Sequence, residues 1–230
     1  MFDHDPDMPL AVDLRPLCPP IYDQSTEGAC VAHAVAAAME FDLMKVQHDI
    51  MLSRQFIYYN ARQIENCVEV DNGCMLRDAI QSVAILGACP ESEWTYNIDA
   101  FSIKPPDQAY TDGLKHKVIA YNRVGPFLNQ MKGCLASGYP FAFGMMCYES
   151  FESEEFMRTG ILSLPGANEM CYGGHCVLAV GFSDADQRFI IRNSWGSSFG
   201  MAGYFTIPFT YLLDPQLCTD FWTIKSVMVP

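Results

Sequence analysis

Helix-like patterning crowds into residues 30–86, and short strand-like runs fill the chain from 139 onward. That segregation constrains the fold more than any single motif. Ser25 or Thr26 can cap a helix that Ala32, Ala34, Ala36, Ala37 and Ala38 then drive to about Gln47. Phe56, Ile57, Tyr59 and Ile64 lie on one face of a helix predicted over 53–65, and another spans 75–86, closed by Gly87. Residues 88–113, with Pro90, Pro105, Pro106 and Gly113, read as loop. Strands are predicted at 139–148, 175–182, 187–193, 202–207 and 221–229. Pro9, Pro16, Pro19 and Pro20 exclude helix and make residues 1–22 extended. Helices before strands predict an α+β protein of two lobes, with a cleft between them as the default site.

The bulk properties exclude more than they identify. A formal charge of −13 argues against nucleic-acid partners, whose phosphates need Lys and Arg. No run of about 18 apolar residues is present, so no membrane-spanning helix is expected. The opening MFDHDPDMPL is acidic and does not read as a signal peptide. Ten cysteines without tight spacing suit reduced, largely buried thiols, and hence a reducing, cytoplasmic compartment.

Four positions carry chemistry. Cys30 falls in the first turn of its helix, where unpaired N–H groups and the positive dipole end favour a thiolate; a buried structural cysteine is the alternative. His175 follows Gly173 and Gly174, so it can project from a strand end as a base, or pack in the core. His33, three residues after Cys30, is its rival and reads as core, while His4, His48 and His116 read as surface. Asn193 ends a strand-like run and can orient an imidazole, with Trp195 covering that bond. Gln24 can offer a side-chain N–H to an oxyanion beside the Cys30 backbone N–H. Cys171, His175 and Cys176 could be read as metal ligands, but the second ligand pair that zinc normally takes is missing. Neither metal nor cofactor is expected.

The run Gln24-Ser25-Thr26-Glu27-Gly28-Ala29-Cys30 keeps the spacing of a known nucleophile motif, Gln-Gly-Ser-Cys-Gly-Ser-Cys-Trp. Gly173-Gly174-His175 with its apolar continuation, and Asn193-Ser194-Trp195-Gly196 with Gly200 and Gly203-Tyr204-Phe205, complete the pattern. The chain thereby resembles papain-like cysteine peptidases from Asp13 to its last strand. Residues 53–62, 76–80 and 89–91 are most like the microbial and viral branch. The resemblance implies a papain-like fold, with a helical N-terminal lobe, a β-rich, barrel-like C-terminal lobe and an active-site cleft. It makes Cys30 the nucleophile, His175 the base and acid, Asn193 the orienter and Gln24 the oxyanion donor. Gly73 and Cys74 fall where the family pairs its backbone with an extended peptide; Gly174 and Trp195 are further substrate-binding candidates.

The departures are specific. Glu27 stands where the family has a disulfide cysteine, Val31 where it has an aromatic residue, and Cys74 where it has a second glycine. No recognisable inhibitory propeptide precedes Asp13. Residues 1–12 are therefore expected to be an N-terminal extension, with Phe2–Leu10 folding over the cleft as a restraint. Residues 13–230 are expected to form one peptidase domain, helical over about 13–115 and β-rich over about 116–230. The expected activity is peptide-bond hydrolysis, as an endopeptidase on protein or peptide substrates. Acyl transfer or deamidation through the same thioester, or silent peptide binding, are the alternatives.

Overall fold

A computed structural model describes residues 8–230. His4 and most of the acidic segment expected to cover the cleft lie outside the described residues. The chain divides into two compact units. One comprises Leu17–Pro19, Gln24–Asn122 and Ile224–Pro230; the other holds Pro20–Asp23, Arg123–Thr223 and the described residues up to Pro16.

The first unit is built on α1 (Cys30–Lys45), α2 (Arg54–Ile64), α3 (Leu76–Ile85) and the short α4 (Asp107–Gly113). Ala32, Ala34, Ala36, Ala37 and Ala38 are all buried, as are Val35, Met39, Phe41 and Leu43. A helix apolar on every side belongs in the centre of its unit, and its alanines allow close neighbours. Ser53 caps α2 by accepting from the Phe56 amide at 3.1 Å. Residue 87 follows the end of α3 at φ +70°, a conformation that favours glycine there. The predicted loop at 88–113 contains α4, whose entry Pro105-Pro106 supplies and whose single buried apolar side chain, Ala109, gave no periodicity.

The second unit is an antiparallel sheet. Its strands are β1 (Ala11–Asp13), β3 (Phe141–Tyr148), β4 (Cys171–Ser183), β5 (Arg188–Arg192), β6 (Tyr204–Pro208) and most of β7 (Cys218–Val227), while β2 (Val118–Arg123) neighbours β7. The order is β2-β7-β3-β4-β5-β6, with β1 on β4. Barrel-like closure was expected, but the sheet is open: β2 and β6 are its two ends. β1 pairs Val12 with Phe182, and Leu10 accepts from the Asp184 amide, which places the described residues 10–13 along β4. The expected extended start is interrupted by one 3-10 turn at Arg15–Leu17. Helices α5 (Leu128–Ala136), α6 (Glu154–Thr159) and α7 (Phe209–Leu213) complete the unit. Its core is aromatic, with Phe141, Phe143, Phe182, Phe189 and Phe205 all fully buried.

β4 starts four residues earlier than its sequence suggests. Gly173 and Gly174 pair with Cys147 and Met146, although glycine carries no strand preference. From His175 to Phe182 every residue of β4 is buried. His175 thus stands where an exposed, glycine-rich strand end enters the core.

Candidate active site

In the helical unit the approach to Cys30 is a tight loop. Ser25 adopts φ +54° and Ala29 is the N-cap without a side-chain bond, so the expected Ser25 or Thr26 cap is not formed. Ser25 is instead used to turn the chain. Cys30 becomes the first helical residue, half-buried, at the end of α1 where backbone N–H groups converge. Gln24 is 8% exposed and its Nε2 donates to the Glu27 carbonyl at 2.8 Å, which orients the carboxamide within this loop. The Tyr96 hydroxyl donates to the Gln24 carbonyl at 2.9 Å.

Glu27 is buried, and its Oε1 accepts from Gln55 Nε2 at 2.8 Å. Burial pushes its carboxyl upward in pKa, with hydrogen bonds from Tyr96 and Gln55 opposing. Gly28 donates its N–H to Asp71 Oδ1 at 2.9 Å. A Cβ at Gly28 would lie 3.0 Å from both that oxygen and Gly73 N, so only glycine fits without displacement. Gly73, at φ +84°, donates to the Tyr58 hydroxyl at 3.2 Å. Cys74 is half-buried; burial, then the neighbouring Cys30 sulfur, hold its thiol well above the usual range. Gln24, Cys30, Gly73 and Cys74 therefore gather within one unit.

His175, Asn193, Gly174 and Trp195 gather in the other. His175 Nε2 lies 2.8 Å from Asn193 Oδ1, which also accepts from the Ser194 amide at 2.9 Å. A backbone N–H demands an acceptor, so the Asn193 carboxamide must present oxygen at that point. An oxygen can only accept, so the imidazole carries its hydrogen on Nε2 and keeps a lone pair on Nδ1. Trp195 packs 5.2 Å from the imidazole centroid, and Phe151 meets it edge-on at 5.7 Å. These rings cover the bond that sets the tautomer. Burial pulls the His175 imidazole down to about 4, with the Asn193 bond working the other way.

That depression has a sign. Below about 6.5 the unfolded His175 takes up a proton while the folded one resists until about 4. Its contribution is fully present above about 6.5 and is lost as pH falls through that interval. Thermal melts between pH 7 and pH 4 should show a falling Tm that flattens in His175→Gln; equal slopes would refute the assignment.

His175 and Cys176 are successive strand residues and face opposite sides of β4, so the Cys171–His175–Cys176 metal reading fails on geometry. His116, read as a surface residue, is 3% exposed, with its Nε2 3.4 Å from that of half-buried His48. His33 packs in the core as expected, its Nδ1 2.9 Å from the Ala29 carbonyl. No disulfide joins any of the ten cysteines. No helix among the described residues is long and apolar enough to cross a membrane. Sequence reasoning missed Tyr58, Asp71 and Tyr96. The available signal was the Tyr58–Arg62 spacing of one helical turn, followed by an acidic residue immediately before Asn72-Gly73.

Comparison with known proteins bears on the family and the fold. The model of the papain family cysteine proteases matches residues 8–211. An uncharacterized peptidase C1-like protein of Acanthamoeba polyphaga mimivirus is 40% identical over 219 residues, covering 90% of this chain and 70% of the viral one. Cysteine proteinase 3 of Entamoeba histolytica is 28% identical over 205 residues, covering 86% of this chain and 62% of its own. Xylellain, a cysteine protease from Xylella fastidiosa, superimposes with a TM-score of 0.90 at 40% identity, covering 95% of this chain and 87% of that one. The sequence match and the shared α+β architecture agree: this chain belongs to the papain family of cysteine proteases.

Proposed function

We propose that the chain hydrolyses peptide bonds through a thioester on Cys30, with His175 as base and acid, Asn193 as orienter and Gln24 as oxyanion donor. The observation that carries this reading is the double acceptance at Asn193 Oδ1, which leaves Nδ1 of His175 as the basic atom. In the proposed sequence Nδ1 takes the Cys30 proton and sulfur attacks the scissile carbonyl. The carbonyl electron pair moves onto oxygen, facing the Cys30 N–H and Gln24 Nε2. Collapse breaks the C–N bond as the imidazolium protonates the departing amine. Water then attacks the thioester, giving its proton to Nδ1, and the thiolate leaves and is reprotonated.

The peptide is proposed to lie extended along residues 73–74 and along Gly174. Because the Gly73 N–H is engaged by Tyr58, strand-like pairing falls to the Cys74 backbone. A Cβ at Gly174 meets nothing within 4 Å. Gly174→Leu should therefore leave Tm within about 2 °C while raising KM for peptides; an unchanged KM removes Gly174 from the binding surface. The domain reading carries forward as one peptidase domain over 13–230 preceded by an extension over 1–12, and cleavage is placed inside chains rather than at their ends.

The deciding experiment is mass spectrometry of enzyme quenched in acid during turnover of a peptide ester. The expected species is the protein plus one acyl group, mapped to the peptide containing Cys30. Products from an internally quenched peptide should carry a new amine and a free carboxylate. Release of ammonia alone would mean deamidation, and binding without an acyl adduct would mean a silent member. Only the unprotonated imidazole acts as base, so kcat/KM should hold from pH 7 to about 5 and fall about tenfold per unit below about 4. An acid limb centred near 6.5 would contradict the burial of His175.

A further inference from the structure

The segment between α2 and α3 has no regular structure, and much of it is exposed: Glu69, Val70, Asp71, Asn72 and Met75 all face solvent. Such a segment ordinarily samples many conformations, and ordering it on binding opposes affinity. Here it is tied to α2 at several points. Arg62 is fully buried, and its guanidinium donates to the carbonyls of Val68 at 2.9 Å and Val70 at 3.1 Å, and to that of Phe101. The same group lies over the Tyr58 ring, 3.9 Å from its centroid. One helical turn separates the two side chains, so a single face of α2 presents both to the segment.

Beyond these carbonyls the anchoring becomes specific. The Tyr58 hydroxyl donates to Asp71 Oδ1 at 2.5 Å and accepts from the Gly73 amide at 3.2 Å. The same Asp71 oxygen accepts from Gly28, two residues before Cys30. On the far side, Glu65 Oε1 accepts from the Met75 amide at 2.7 Å. The amides immediately before and after Cys74 are thus both held by side chains of α2 and its C-cap, and the tie reaches the loop that carries the nucleophile.

We infer that Tyr58 and Asp71 are positioning residues that fix the Cys74 backbone, relative to the Cys30 loop, in the conformation that pairs with an extended peptide. The inference rests on the proposed pairing at residues 73–74. Its physical content is preorganisation: the hydroxyl touches no reacting atom, but its loss frees Gly73 and returns the ordering cost to peptide binding. The consequence belongs in KM rather than in the chemical step.

The test uses two peptides, one the N-methylated form of the other at the backbone amide that would pair with Cys74, and the variants Tyr58→Phe and Asp71→Asn. Wild type should bind the N-methylated peptide with a KM about tenfold higher, the size of one lost hydrogen bond. Tyr58→Phe should raise KM for the unmodified peptide by about tenfold, keep kcat within about twofold, and narrow the gap between the peptides. Iodoacetamide alkylation of Cys30, which needs no peptide pairing, should proceed at the wild-type rate. If wild type itself ignores N-methylation, the pairing reading fails. If wild type discriminates but both variants match it in KM and in that gap, the positioning role is overturned. A fall in kcat and in alkylation rate with KM unchanged also overturns it, since the residues would then serve the nucleophile's geometry. Should Tyr58→Phe lose its cooperative melt, Asp71→Asn, close in volume, is read against the same outcomes.

Discussion

Cys30→Ala is expected to lower kcat/KM for peptides by roughly 10⁴-fold or more, with the melting temperature within about 2 °C of wild type. The two halves of that expectation have separate origins. Cys30 is the first residue of α1 and only half-buried, so removing its sulfur opens no core cavity, and alanine suits a helix start. The proposed acyl carrier, by contrast, has no substitute. Removing the proposed base as well should add little: Cys30→Ala/His175→Ala should be about as slow as either single variant, because a nucleophile without its base and a base without its nucleophile fail at the same step. Asn193→Ala should fall less steeply, since Nδ1 remains basic while the ring loses the acceptor that selects its tautomer. Turnover of Cys30→Ala above about one per cent of wild type would place the reaction elsewhere.

The sequence made those candidates visible because the chemistry proposed for them depends on residue type at fixed local spacing. Gln24 to Cys30 is a contiguous loop, and Gly173-Gly174-His175 a contiguous strand entry. The long helices were legible for the same reason: α2 and α3 begin and end within two residues of their expected bounds, and α1 ends within two of its own but starts later than the expected Ser25 or Thr26 cap. Less legible were elements whose stability comes from tertiary neighbours. β2 is mostly exposed and has no alternating pattern, and α4 buries one apolar side chain. The Asp71–Tyr58–Gly28 ties join residues far apart in sequence, and only the fold brings such polar atoms within hydrogen-bond range. His116 illustrates the opposite failure. Flanked by lysines at 115 and 117 it reads as surface, yet the packing of the α3 and α4 ends buries it.

That packing sets the second large effect. Gly87→Ala is expected to destabilise the protein by about 3 kcal/mol, lowering Tm by roughly 6–12 °C. The residue closes α3 at φ +70°, a conformation that alone costs an alanine about 1 kcal/mol. The larger part is steric. A Cβ there would sit 1.8 Å from the Gly113 carbonyl oxygen and 2.7 Å from its carbon, with the His116 backbone at 3.1 Å. Those are backbone atoms, which no rotamer change can move aside, so the end of α4 and the buried His116 would have to shift together. Gly138→Ala separates the two contributions. It has φ +77° but nothing within 4 Å of the new methyl, so it should lose only about 1 kcal/mol, or roughly 2–4 °C. Melting Gly87→Ala and Gly138→Ala side by side therefore measures the contact between α3 and α4: equal losses would mean that the two helix ends do not approach as closely as their glycines require.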